Sequence, residues 1–185
     1  MQKQKNVSLI LDDGSKFSGI SFGYERPTAG EVVFNTAMSG YPESLTDPSY
    51  SGQIMVLTYP LIGNYGVPAR SFSGKLSTFL ESEKIHADGI IVSDYSENYS
   101  HWNATESLGE WLKQEKITGI TGIDTRELTK LLREKGSMKG KIVFSDENEI
   151  DFEQNQSSRT SKYDRDNYLW KWEETYRISR LRCKT

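Results

Sequence analysis

Cysteine and long apolar runs are both scarce in this 185-residue chain. The one cysteine, Cys183, excludes an intramolecular disulfide and agrees with a reducing compartment. No stretch approaches the roughly 18 consecutive apolar residues that a membrane span requires. The polar start of the chain also lacks the apolar core of a signal peptide. We therefore expect a cytoplasmic protein that has no membrane partner.

Residues suited to metal or nucleophilic chemistry are also few. The two histidines, His86 and His101, have no metal-ligand spacing with each other or with Cys183. Flanking basic residues favour the Cys183 thiolate, but nothing in the sequence places a base beside it. His101 and Trp102 precede a predicted helix, which favours a packing or capping role for them. The chain has no glycine-rich phosphate loop, and we expect no catalytic residue, metal or cofactor in it.

Charge and composition indicate one acidic domain with an appendage. The formal net charge is -3, the pI is near 5.5 and the mean hydropathy is -0.64. The acidic balance argues against nucleic acid as the main partner, and the low hydropathy indicates a part that adds little to the core. We predict a domain over residues 1–150 and an irregular tail over 151–185. A weaker alternative makes the aromatic, basic tail a nucleic-acid contact, although its intermixed acidic residues argue against it.

Apolar alternation predicts most of the strands. Val7–Leu11 and Lys16–Phe22 read as a β-hairpin with an Asp-Gly turn. Further strands are predicted at Glu31–Thr36, Gln53–Thr58, Ala87–Ser93, Ile117–Ile123 and Lys141–Phe144. Gly119 and Gly122 are expected to allow close backbone approach. Antiparallel pairs followed by β-α-β alternation predict a mixed α/β domain with two sheet layers and a helical layer.

Two helices carry recognisable end signals. Thr105 is a predicted N-cap for the first, and Asp124 for the second, with Glu127 as a capping-box partner. Gly136 stands where a glycine ends the second helix. Their apolar faces are Leu108, Trp111 and Leu112 in the first helix, and Leu128, Leu131 and Leu132 in the second.

The segment Gly30–Gly66 is the most informative part of the chain. Two β-prone runs enclose a long polar loop rich in glycine, proline, aspartate and serine. All five prolines of the chain lie between Pro27 and Pro68, so rigid turns are concentrated here. A shaped loop of this length is more often functional than a bare connection. The alternative is a well-tied surface loop.

Several motifs occur in a specific order: LDDGSKFSG, GEVVFNTAMSGYPESLTDPSYSGQIMVLTYPLIGNYG, ADGIIVSDY, GITGIDTRELTKLLREKG and a closing GKIVF. With them, the chain from about Val7 to about Glu153 resembles the N-terminal domain of the small, glutamine-dependent chain of carbamoyl phosphate synthetase. The resemblance implies an α/β fold, a swivelling β/β/α three-layer domain with mixed sheets. In that family a class I amidotransferase domain follows, which hydrolyses glutamine with a cysteine, a histidine and a carboxylate. A large subunit then uses bicarbonate and MgATP to make carbamoyl phosphate for arginine and pyrimidine synthesis.

The resemblance also implies partners and site residues. The expected partner is the large synthetase subunit, in a heterodimer. Ser49 matches a family serine that contacts glutamine, and we expect that contact only in the full-length assembly; the alternative is that Ser49 caps its own turn. Tyr41, Tyr50, Tyr59 and Tyr65 are the expected partner contacts, because exposed tyrosine suits an interface.

The tail departs from the family pattern. A linker and a valine-rich strand are expected after Gln154, and the sequence has neither. We favour a frameshift as the cause; a misplaced gene boundary, a shortened chain and a genuine divergent extension are the alternatives. With no cysteine, histidine and glutamate of an amidotransferase domain, the chain alone is expected to be inactive. A stand-alone, non-catalytic interaction domain is the alternative function.

Overall fold

The computed structural model of the protein describes residues 5–69 and 80–144, with the backbone of 72–73 and 76–77 between them. The predicted boundary at 150, the predicted tail over 151–185 and Cys183 lie outside these residues. Within them, no helix is long and apolar enough to cross a membrane.

Seven strands close into a barrel. In chain order they are β1 (Asn6–Leu11), β2 (Lys16–Ser21), β3 (Thr28–Asn35), β4 (Gln53–Leu57), β9 (Gly89–Ile91), β12 (Thr118–Thr121) and β13 (Met138–Phe144). Around the barrel the order is β1-β13-β3-β4-β9-β12-β2. β3, β4, β9 and β12 pair in parallel, and the other pairs are antiparallel. The predicted hairpin is confirmed, and so is the parallel strand at Ala87–Ser93, of which Gly89–Ile91 is regular.

Short paired strands and three helices complete the described fold. The strands are β5 (Leu61–Ile62), β6 (Val67–Pro68), β7 (Phe72–Ser73), β8 (Leu76–Ser77), β10 (Asp94–Tyr95) and β11 (Ala104–Glu106). The helices are α1 (Tyr41–Thr46), α2 (Leu108–Gln114) and α3 (Thr125–Lys135). α1 lies inside the segment predicted to be a loop, so that prediction is wrong there. Gly40, with φ 77°, is the N-cap of α1, and Pro42 lies in its first turn, where the missing N–H costs no helical bond.

The helix caps are partly as predicted. The Asp124 carboxylate accepts hydrogen bonds from the N–H groups of Arg126 and Glu127, and Gly136 ends α3 with φ 86°. The predicted Thr105 cap is wrong, because α2 begins two residues later. Its N-cap is Ser107, which forms a reciprocal capping box with Glu110.

Two hydrophobic cores lie on opposite faces of the parallel strands, which is usual for such strands. Along β4, Met55 and Leu57 belong to one core and Ile54 and Val56 to the other. The first core contains side chains from α1 and α2, and the second contains side chains from α3. The swivelling three-layer description of this fold stays a prediction.

Candidate functional site

Ser49 lies in a short 3-10 turn, Pro48–Tyr50, between α1 and β4. The Asp47 carboxylate accepts a hydrogen bond from the Ser49 N–H at 2.8 Å. Asp47 therefore caps this turn, and the alternative in which the Ser49 side chain does so is wrong. The Ser49 side chain is exposed, and its hydroxyl forms no hydrogen bond within the part of the chain that the structure describes. That hydroxyl is available as a donor to a ligand.

The backbone on both sides of this turn is held by the segment 81–88. The carbonyl of Leu45, before the turn, accepts from the N–H of His86 at 2.8 Å. The carbonyl of Gln53, after the turn, accepts from the N–H of Asp88 at 2.8 Å. Because both ends are tied to one segment, the turn is preorganised, and a ligand would not have to order it.

Two titratable side chains in the elements that flank the turn, Tyr41 of α1 and His86 of the segment 81–88, favour their neutral forms. Burial raises the pKa of Tyr41 above its ordinary value, so its phenol stays protonated. Burial, followed by the nearby charge of Lys84, lowers the pKa of His86, so its imidazole is neutral near pH 7.

Tyr41 and Tyr50 are less exposed than the sequence suggested. The Tyr41 side chain is 6% exposed and its hydroxyl donates to the carbonyl of Gly66 at 2.8 Å. The expectation that Tyr41 is an exposed partner contact is therefore wrong, and the residue instead ties α1 to the Gly66 loop. Tyr50 is half-buried against the α1–α2 core, and its hydroxyl accepts from the Asn35 Nδ2 at 3.4 Å.

Tyr59 and Tyr65 are exposed, by 37% and 46%. Tyr59 follows the carboxyl end of β4, whereas the Ser49 turn leads into its amino end. Five strand residues span about 13 Å, so the predicted site residues form two groups rather than one. One group is the Ser49 turn, and the other is the exposed tyrosine surface.

Trp102 is the functional candidate that sequence reasoning missed. The predicted packing or capping role is wrong for Trp102, because its indole is 85% exposed. His101 beside it stacks on Tyr65, with ring centroids 4.3 Å apart. The available signal was the run Tyr95–Trp102, in which the aromatic residues are interspersed with serine, glutamate and asparagine and no aliphatic residue occurs.

Two open clefts occur among the described residues. A cleft of about 190 Å³ lies at the ends of β3 and β4, lined by Asn35, Ala37, Met38, Ser39, Tyr41, Ser44, Leu57 and Ile62. A second, of about 300 Å³, lies between β3 and α3. Both clefts are open to solvent, so neither is an enclosed ligand cavity. Among the same residues, no cluster of three or more His, Cys, Asp or Glu side chains is placed to hold a metal.

Residues 9–142 match the family model described as the carbamoyl-phosphate synthase small chain, CPSase domain. The chain belongs to this family. The predicted resemblance is thereby confirmed, on nearly the same residues.

Several curated relatives show the same similarity. The chain is 53% identical over 155 residues to multifunctional protein pyr1-3 of Dictyostelium discoideum, an alignment covering 81% of this chain and 7% of that protein. It is 51% identical over 144 residues to the mitochondrial carbamoyl-phosphate synthase [ammonia] of Homo sapiens, an alignment covering 77% of this chain and 10% of that protein. It is 50% identical over 148 residues to the carbamoyl phosphate synthase arginine-specific small chain of Saccharomyces cerevisiae, an alignment covering 79% of this chain and 36% of that protein. The chain thus spans well under half the length of each of these relatives.

Similarity to a solved structure is much weaker. An aminopeptidase from Aneurinibacillus sp. strain AM-1 is 14% identical with a TM-score of 0.41, covering 77% of this chain and 32% of that one. Such a score supports no conclusion about fold or function.

Proposed function

We propose that this chain is the N-terminal part of the small subunit of a glutamine-hydrolysing carbamoyl phosphate synthetase, and that it acts in the cytoplasm. It binds the large subunit as a heterodimer and supports delivery of glutamine-derived ammonia for carbamoyl phosphate synthesis. The product serves the arginine and pyrimidine pathways. MgATP and bicarbonate belong to the large subunit, and this chain has no cofactor. The observation that carries the proposal is the family match over residues 9–142.

Ser49 contacts glutamine in this proposal. Support comes from its exposed hydroxyl and from the turn that Asp47 caps and the segment 81–88 holds. The other wall of the glutamine site belongs to the amidotransferase domain, so the contact exists only in the full-length assembly.

The test of this role is Ser49→Ala in a small chain that joins this domain to an amidotransferase domain. Loss of one hydrogen bond, worth about 0.5 to 1.5 kcal/mol, should raise the KM for glutamine by about 2- to 12-fold. Steady-state kinetics with glutamine and with ammonia measure it, and the ammonia-dependent rate should not change. Ser51→Ala, exposed at the end of the same turn, is the matched control. An unchanged KM for glutamine in Ser49→Ala would remove Ser49 from the site.

Partner contact rests on Tyr59 and Tyr65, which are exposed, more than on Tyr50, which is half-buried. The alternative function, a stand-alone interaction domain, predicts a stable complex with the large subunit that supports no transfer of ammonia in any assembly. Carbamoyl phosphate synthesis from glutamine by a complex containing this domain would exclude that alternative.

A further inference from the structure

An exposed surface of aromatic and apolar side chains lies beyond the carboxyl ends of β4 and β9. We call it the aromatic face, and it consists of Tyr59, Leu61, Tyr65, Tyr99, His101 and Trp102. Apart from the half-buried His101, each of these side chains is between 37% and 85% exposed. Single exposed apolar residues are ordinary, but a contiguous group of them marks an interaction site.

Direct contacts join the two loops that form the aromatic face. The Ser100 N–H donates to the Asn64 carbonyl at 3.1 Å. Tyr65 stacks on His101, and the rings of His101 and Trp102 lie 5.7 Å apart. The three rings therefore form one continuous group rather than isolated exposures.

Strand pairing places Leu61 of the face, and packing at Gly66 places Tyr99. β5 pairs in parallel with β10, which places Leu61 opposite Asp94. A Cβ atom added at Gly66 would lie 2.9 Å from Cγ of Tyr99, so the Tyr65–Gly66 backbone packs directly on the Tyr99 side chain. The face is thus built on hydrogen-bonded backbone, which limits the entropy lost when a partner binds.

The charged side chains in the two described segments that build the face, 59–69 and 94–106, are all acidic. The sequence has no Lys or Arg between 27 and 69 or between 85 and 112. The second of these segments carries the carboxylates of Asp94, Glu97 and Glu106. Asp94 pairs with Leu61 of the face, Glu97 lies two residues before Tyr99, and the side chains of Asp94 and Glu97 are exposed. Basic side chains are concentrated elsewhere, for example along α3.

We propose that the aromatic face binds an arginine-rich, basic surface of a protein partner. A guanidinium group stacks on tryptophan and tyrosine faces, and it also pairs with carboxylates through two parallel hydrogen bonds. Phosphate groups of nucleic acid or anionic lipid would be repelled by the same carboxylates. The inference deepens the proposed function, on which it rests for the partner's identity: the large subunit would meet this chain through a basic surface.

The first test uses the full chain and an octa-arginine peptide, with binding measured by isothermal titration calorimetry. Trp102→Ala and the pair Asp94→Lys with Glu97→Lys should each weaken binding at least about tenfold, as loss of an interface hot spot does. Tyr24→Ala is the aromatic control, since Tyr24 is 38% exposed and its backbone N–H donates to the carbonyl of Ile117, before β12. Glu134→Lys on α3 is the charge control, and both controls should stay within about twofold.

Three results overturn the inference in this first test. They are no binding of octa-arginine, binding that the face variants do not weaken, and tighter Trp102-dependent binding of single-stranded DNA or of phosphatidylserine vesicles. Near-ultraviolet circular dichroism of each variant verifies that the fold is retained.

The second test repeats the variants against the purified large subunit. Loss of affinity in the face variants alone supports the inference. If every variant binds the large subunit with wild-type affinity, the inference is overturned and the proposed function is left intact. Binding of octa-arginine through the face without any binding of the large subunit refutes the proposed function and still supports the basic-partner chemistry.

Discussion

Gly119 shows at the residue scale how tightly β12 packs. A Cβ added there would lie 2.9 Å from the Phe22 ring and 3.0 Å from Cδ1 of Leu112, and all three residues are buried. Gly119→Ala should destabilise the fold by about 1 to 3 kcal/mol through overpacking. Urea unfolding measures this change. Gly89→Ala is the matched control, because its nearest neighbour is the flexible end of Ile142 at 3.2 Å, and an equal loss in both would contradict the account.

Single residues were predictable from sequence where the reason is local. Asp124 and Gly136 cap α3 as expected, because a capping carboxylate and a left-handed glycine depend only on neighbouring backbone. Gly119 allows close approach as predicted, whereas Gly122 has open space and is needed for its φ of 83°. The burial of Tyr41 depends on Gly66, 25 residues away, and no local pattern reports such a contact.

At the scale of elements, two residues before α2, Thr105 and Ser107, are candidates for its N-cap. Ser107 accepts from the Glu110 N–H at 3.2 Å, while the hydroxyl of Thr105 only donates to the Val67 carbonyl at 3.4 Å. Ser107→Ala should therefore lower the free energy of unfolding by about 1 kcal/mol. Thr105→Ala should lower the free energy of unfolding by clearly less. Urea denaturation of both variants measures the two losses. A larger loss in Thr105→Ala would place the functional cap at the residue the sequence favoured.

Element existence was easier to predict than element limits. The strand expected at Lys141–Phe144 is present but begins at Met138, because β13 pairs with both β1 and β3 along its length. The helix α1 was missed, since six residues with glycine and proline at their start resemble a turn. Its stability comes from Leu45, which is fully buried in the α1–α2 core, and not from helix propensity.

At the scale of the whole molecule, an ion pair joins the first hairpin to the end of α3. Lys135 Nζ lies 2.7 Å from Asp13 Oδ2. The hydrogen bond from Lys135, with smaller contributions from Ser15, lowers the pKa of Asp13 from 3.8 to about 2. A carboxyl group whose pKa is lower in the folded chain stabilises the fold at every pH above its pKa in the unfolded chain. That contribution is lost as the pH falls through its pKa in the folded chain.

Asp13→Asn should therefore be less stable than the wild type at pH 7, and the difference should shrink to a small remainder as pH falls from about 4 to about 2. Urea midpoints measured across that range test it, and 0.5 M NaCl should reduce the difference because the pair is exposed to solvent. Asp12→Asn is the control, as its side chain forms no hydrogen bond or ion pair among the described residues. A difference at pH 2 as large as the one at pH 7 would assign the effect to something other than this ion pair.

Barrel closure and the grouping of the site lay beyond sequence reasoning for the same physical reason. Closure requires β1 to pair with β13 and β2 with β12, contacts between segments more than 95 residues apart. The aromatic face likewise joins residues near 60 to residues near 100. Sequence identifies the segments that carry such contacts, through Tyr59, Tyr65 and Ser49, but their separation at the two ends of β4 follows only from topology.

The most direct test of the central claim is sedimentation velocity of this full chain mixed with the purified large synthetase subunit. The account predicts one faster boundary containing both proteins at equal stoichiometry, weakened by Trp102→Ala and unaffected by Tyr24→Ala. Two separate boundaries at concentrations well above micromolar would contradict the assignment of this chain as a large-subunit partner.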